Sequence, residues 1–269
     1  MHDFVSLFTY SFMLRALLVG LMVAPCAALL GVTLVLRRYS MIGDGLSHVG
    51  FGALSLAFAL HMAPLPLALP IVVLAAFGIL RLSENSTMQG DSAIALISSA
   101  SIAFGVVITS LTNGMSTDVY DLMFGSILAM QKSDLYVTLG LSAAVLFVFV
   151  FFYRKIFSIT FDESFARTAG IPVRFYTMLI AFLTAITIVV GMRIMGSMLI
   201  SSLLIFPALT AMQVFKSFRS VVICATVVSL SAFAAGLILS FWLSLPTGAS
   251  IVLVNLLLFL LFSLWKKIK

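Results

Sequence analysis

Charge is what this chain has least of. Only 9% of its 269 residues are Asp, Glu, Lys or Arg, against about 25% in an ordinary soluble domain. Hydrophobic residues make up 62% and the mean hydropathy is +1.24, a composition that excludes a soluble globular protein and defines a polytopic membrane protein. The excess of base, 15 Lys and Arg against 9 Asp and Glu, does not call for nucleic acid. Those residues sit mostly between apolar segments, where they orient a chain in the bilayer. Cysteine is nearly absent: Cys26 and Cys224 both lie within apolar stretches and read as buried, inert thiols rather than a disulfide or metal pair. No HExxH, no GxSxG and no GxxxxGK followed by Ser or Thr occurs. An intramembrane metalloprotease, a serine hydrolase and a self-contained ATPase are therefore unsupported. Long polar linkers are missing as well, so residues 1–269 read as a single transmembrane domain.

What the chain does have is long apolar runs. The first begins after Arg15 and continues to Leu36, too long for a signal-peptide core and long enough for a first span. Further runs of crossing length follow at roughly 41–60, 64–80, 92–111, 135–153, 175–192, 194–215, 220–241 and 247–265. That gives nine candidate spans. The count falls to eight if the pair divided only by "RIMG" is one broken element. Threading nine spans back from a cytoplasmic "WKKIK" leaves Arg37, Arg38, Arg81, Arg154, Lys155, Arg167, Arg174, Lys216, Arg219, Lys266, Lys267 and Lys269 inside. Arg15, Lys132 and Arg193 fall on or near the outer side, which is the asymmetry expected of a cytoplasmic-membrane protein with its C-terminus inside.

Two connections are unusual. The outer one, Asn113 to Asp134, has an apolar core of about nine residues, too short to cross and suited to an interfacial or re-entrant turn. The inner one, about 154–174, is polar enough to leave the membrane, and its middle reads as a short helix. Asp162 supplies an N-cap and Glu163 an acidic first turn, and Gly170 followed by Pro172 ends the element. Phe161, Phe165 and Ala169 recur at a spacing of four. Such a stripe either rests on the bilayer surface or docks a partner.

The segment "RRYSMIGDGLSHVGFGALSLAFALH" places Asp44 and His48 one helical turn apart inside an apolar run. An ionisable group at membrane depth costs about 2.5 to 3.5 kcal/mol on insertion scales and normally faces a bundle interior or an aqueous path. Two readings follow: Asp44 caps the helix while His48 bonds a neighbouring span, or both meet one cation. Imidazole with carboxylate suits zinc, manganese or iron better than calcium or magnesium, and two ligands leave the shell incomplete.

These residues resemble the membrane permease subunits of bacterial ABC importers for zinc, manganese and iron, the ABC-3 family. The resemblance rests on "LGVTLVLRRYSMIGDGLSHVGFGALSLAF", "LMFGSIL", "FDESFARTAGIPV", "RIMGSMLISSLLIFPALTA" and "LPTGASIVLV", in order over about 220 residues. It implies an all-α bundle of about eight to nine spans in which Asp44 and His48 line the path of a transported divalent metal, with no permanently bound cofactor. It implies that the inner loop, including Phe161, Asp162, Glu163, Phe165, Ala166, Ala169, Gly170 and Pro172, is a coupling helix for a cytoplasmic ATPase on another chain. An extracytoplasmic metal-binding protein and a second permease copy complete the assembly, with lipid around it and no nucleic acid. The family commonly has alanine where Gly45 stands, and often proline and glycine where this chain has "VGFGAL"; the glycines at 50 and 52 bend or closely pack the span.

Pro207 removes a backbone donor in mid-span and is a candidate gate through a kink. Asn255 reads as a bond to another helix. His61, Asp118 and Asp121 fall on the outer side, either a solvated rim or an attractor of arriving cations. The 14 methionines are scattered and read as packing filler. The alternative function is a proton-coupled secondary transporter using Asp44 and His48 as a relay; such folds often carry inverted repeats, and no convincing internal repeat is seen.

Overall fold

The computed structural model describes residues 11–85, 90–112 and 132–268. Every element among them is a helix: α1 Ser11–Leu36, α2 Ile42–Ala59, α3 Pro64–Asn85, α4 Gly90–Leu111, α5 Lys132–Phe151, α6 Tyr153–Phe161, α7 Glu163–Thr168, α8 Val173–Met195, α9 Ser197–Val214, α10 Phe218–Leu243 and α11 Thr247–Ile268. Helices are the expected solution, since hydrocarbon offers the backbone no hydrogen-bond partner and each helix satisfies its own. The nine expected spans all appear as helices, mostly longer than the apolar runs that announced them. Seven are long and apolar enough to cross a membrane individually, and α5 with α6 passes as a pair bent by 68°. By that test α2 is not among them: Asp44, His48 and its four glycines dilute an 18-residue helix. Of the outer connection Asn113 to Asp134, residues 113–131, with Asp118 and Asp121, lie outside the described residues, and 132–134 already belong to α5.

Contacts between helices fix their directions. Ala24 of α1 accepts a hydrogen bond from Ser229 of α10 (3.0 Å), and Gly20 packs on Phe233, so these two run antiparallel. Gly43 and Ser47 of α2 meet Leu204 and Ser201 of α9, again antiparallel. Gly45 and Gly52 of α2 meet Ile94 and Ser101 of α4 in parallel, as Phe206 and Gln213 of α9 meet Phe259 and Lys266 of α11. These directions alternate as they do in a chain that reverses between successive long helices. At the centre stand α1 and α8, each with 78% of its apolar window buried, whereas α3, α4 and α11 are peripheral at 28%, 17% and 22%.

The ambiguous "RIMG" junction is a reversal. Gly196 breaks the helix at φ 85° and ψ 157°, a conformation that glycine adopts without steric cost. The chain folds back so that Gly191 and Ile200 touch across the break. By contrast α9 runs unbroken through the buried Pro207.

The glycines of α2 are contact points rather than bends, because the helix is continuous. A Cβ on Gly45 would lie 2.5 Å from Ile94 Cγ2, on Gly50 2.7 Å from Met192 Cε, and on Gly52 2.8 Å from the Ser101 carbonyl. Small residues of this kind let membrane helices approach to van der Waals contact, which there replaces the hydrophobic drive between helices. Among the described glycines the tightest approach to another helix's backbone is at Gly31 of α1, where a Cβ would fall 1.8 Å from the Leu204 carbonyl oxygen. Gly31→Ala should therefore cost about 1–3 kcal/mol and lower the thermal midpoint in detergent. Gly140→Ala, with nothing within 4 Å of the added atom, should be neutral or stabilise by up to about 1 kcal/mol. An unchanged midpoint for the first variant would refute the packing described.

Candidate functional site

Asp44 and His48 do meet. Spaced one turn apart on α2, they place His48 Nε2 3.5 Å from Asp44 Oδ2. The helix around them is almost wholly buried, yet the His48 and Asp44 side chains retain 26% and 43% of their exposure. Asp44 is not an N-cap by its side chain, since the helix start at Met41 has no side-chain cap; the carboxylate is free for other work. Its backbone carbonyl accepts from Ser47 Oγ (2.7 Å), and Ser47 Oγ in turn accepts from Ser201 Oγ of α9 at 3.4 Å. These serines tie the ionisable turn of α2 to α9.

The pair lies inside the bundle, away from its Arg37 end. Gly43 packs on Leu204, whose carbonyl also faces Gly31, six residues before Arg37, which is roughly 9 Å along a helix. Among the described residues no group of three or more His, Cys, Asp or Glu comes together, so the described part of this site is one carboxylate and one imidazole. A groove of about 320 Å³ further along α2, lined by Val49, Leu56, Ile71 and Phe104, is apolar and has no ligand for a cation.

The second region is the connection between α5 and α8. It holds two short helices, not one. Phe161 ends α6, Asp162 is extended at φ −147°, and α7 follows. Asp162 Oδ1 accepts from the Phe165 backbone N–H at 2.9 Å, the N-cap expected. At the other end Gly170 is left-handed (φ 74°), with Gly170 N–H donating to Arg167 and Ile171 N–H to Ala166. That is a Schellman closure, and Pro172 then starts α8. The spacing of four therefore did not signal one helix: Phe161 and Phe165 lie on either side of a break, and Ala169 is the C-cap of α7. All three are nonetheless exposed, Phe161 by 74% and Phe165 by 63%. Ala166, by contrast, is fully buried and seats the helix against the bundle.

Sequence reasoning missed what anchors this loop. Glu163 Oε2 accepts from Arg37 Nη2 at 3.0 Å and its Oε1 from Arg167 Nη2 at 2.6 Å, while Arg37 Nη1 donates to Thr177 Oγ1 of α8 at 2.8 Å. From the sequence alone Arg37 reads only as a topological charge. The one available signal was that it stands where α1 ends, and helix-end arginines reach for carbonyls or carboxylates. His61, also singled out, is exposed and ends its own helix turn at φ 53°.

A membrane bundle that keeps a half-open carboxylate and imidazole beside each other, and holds a short capped helix flanked by exposed phenylalanines at its Arg37 end, has the parts of a transport component. The model of the ABC 3 transport family matches residues 9–266, and the chain belongs to that family. It is 30% identical over 260 residues to the manganese import system permease protein ScaB of Streptococcus gordonii, covering 97% of this chain and 91% of that one. It is also 30% identical over 259 residues to the high-affinity zinc uptake system membrane protein ZnuB of Haemophilus influenzae, covering 96% and 98%. The structure of PsaBC from Streptococcus pneumoniae in complex with a Fab is similar at a TM-score of 0.86 and 31% identity, over 96% of this chain and 93% of that chain.

The capping of α7 is directly measurable. Removing its acceptor in Asp162→Ala should cost about 1 kcal/mol, read as roughly fivefold faster amide exchange at Phe165, with exchange in α8 unchanged. Equal exchange rates in both proteins would remove Asp162 as the cap.

Proposed function

We propose that this chain is the transmembrane permease of an ATP-driven importer that moves a divalent transition metal, zinc or manganese and also iron in reach, across the cytoplasmic membrane. The observation that carries the reading is the Asp44 and His48 pair, 3.5 Å apart and half open on a helix otherwise sealed by its neighbours. Carboxylate supplies charge and neutral imidazole a nitrogen donor, a set suited to these metals. Two ligands bind weakly enough to release, which a path requires. The names of the relatives support the same substrate class, and nothing in them favours the proton relay.

A second copy of the chain supplies the rest of the metal shell. The exposed surface of α4, beside α2, carries Ser92, Ala95, Ser99, Ala103 and Ser110 among the larger Leu96, Phe104, Val106 and Val107, and small residues of that kind let a second helix approach closely. The Arg37 end, which also holds the α5–α8 loop, is cytoplasmic, and so is the C-terminus with Lys266 and Lys267. There α7 seats in a cleft of a separate ATPase through Phe161, Phe165 and Ala169, with Asp162, Glu163, Ala166, Gly170 and Pro172 shaping it. An extracytoplasmic metal-binding protein delivers the ion at the opposite face, and Pro207, buried in α9 one turn beyond the Leu204 that meets α2, acts as gate.

Two outcomes test this. Asp44→Asn and His48→Ala should each reduce zinc and manganese uptake at least tenfold at matched membrane levels. The double variant should be little worse than either, because both residues act on one ion. Near-normal uptake in both single variants would end the assignment of a metal path to α2. Ala169→Glu should abolish co-purification with the ATPase while the permease still inserts; unchanged co-purification and transport would rule out α7 as the dock.

A further inference from the structure

The proposed function leaves open how a movement of α7 reaches residues that handle metal. A six-residue helix is too short to hold its own shape or place, and the only fully buried side chain of α7 is the single methyl of Ala166. Its caps keep it helical without tying it to the bundle. The tie is Arg37. This side chain, 11% exposed, bridges Glu163 of α7 (3.0 Å) and Thr177 of α8 (2.8 Å). Charge-assisted bonds of this kind are stronger and more directional than neutral ones, and losing Glu163, which is 41% exposed, would leave the 11% exposed Arg37 without its carboxylate.

What makes the bridge more than an anchor is where Arg37 sits in the chain. It is the last residue of the α1 turn. Arg38 follows in the left-handed region at φ 64°, its N–H donating to Val35 and that of Tyr39 to Leu34. This is again a Schellman closure, here with an arginine where glycine is usual. The Ile42 N–H then returns to the Tyr39 carbonyl, and α2 begins. The elbow is thus five residues long and hydrogen-bonded within itself, so it cannot stretch to absorb a displacement. From Glu163 the connection runs through the Arg37 side chain and this hydrogen-bonded elbow to the start of α2 and Asp44.

We infer that the Arg37–Glu163 ion pair is the strut that carries motion of the α7 loop to the turn bearing Asp44 and His48, which makes Arg37 a positioning residue for transport. The inference rests on the proposed importer function, and the pair holds through the cycle, moving α7, the α1 end, the elbow and the Thr177 turn of α8 as one body.

The test uses the permease assembled with its ATPase in proteoliposomes, with zinc or manganese as the probe. Arg37→Met keeps the apolar stem and removes the fork. It should leave ATPase co-purification and ATP hydrolysis within about twofold, yet lower the metal moved per ATP at least tenfold. Glu163→Gln should reduce that ratio similarly, and the double variant should be no worse than either alone. Arg37→Lys keeps the charge but meets one partner at a time, so its ratio should fall between. An unchanged ratio in Arg37→Met would overturn the inference, and so would a loss of co-purification, which would make the pair a docking element. A second readout needs no transport. In the permease alone, Arg37→Met and Glu163→Gln should both accelerate amide exchange at residues 39–44 at least fivefold, and unchanged protection would overturn the strut. Wild-type protein that fails to import metal while these exchange rates still respond would count against the importer reading and leave the strut standing.

Discussion

Close approach of α2 to its neighbours is the constraint on which the rest depends. A helix carrying an aspartate and a histidine gains little from partitioning into hydrocarbon, and inside a bilayer apolar burial offers no drive from one helix to the next. What holds α2 is contact. Its glycines at 43, 45, 50 and 52 remove the side chains that would keep α4, α8 and α9 away. Gly43 and Gly50 open one face, Gly45 and Gly52 another. Between these faces one strip remains less covered, and Asp44 and His48 lie on it. The same small residues that stabilise the helix therefore decide which way its ionisable groups look.

The two polar regions are built on opposite principles. Around α2, nearly everything is packing: serine hydroxyls at 47 and 201 exchange one long bond, and the ionisable pair is left open to an arriving ligand. Around α7 almost nothing is packing. Local hydrogen bonds define the helix, one methyl seats it, and the large apolar residues Phe161 and Phe165 face outward. An element that spends its aromatic side chains on solvent is stabilised elsewhere, by charge at Glu163 and by whatever covers those rings.

Features governed by local chemistry could be read from the residues. Asp162 as cap, Gly170 and Pro172 as stop, and the i, i+4 meeting of Asp44 with His48 follow from spacing and residue type alone, and the apolar runs announced every spanning helix. Features governed by tertiary contact could not. The α6 segment carries Arg154 and Lys155 and reads as loop; its helix depends on burying Ile156 and Ile159, and on Phe157 and Tyr153 packing against Phe218 of α10. Arg37 and Glu163 stand 126 residues apart, a pairing with no local signature. The junction at Gly196 fell between these cases: one glycine permits a reversal but does not demand it, and the packing of α8 against α9 chose.

That reversal bears on how the chain enters a membrane. The link between α8 and α9 is a single residue, about 3.8 Å of backbone between neighbouring Cα atoms, while the hydrocarbon layer is about 30 Å thick. Once α8 has crossed, α9 has no slack with which to wait in water on the far side, and α8 cannot cross first and release a loop afterwards. The two helices are committed to integrate together, as a preformed hairpin with Gly196 leading. The synthetic machinery must hold both segments, some forty residues, before either is handed to lipid.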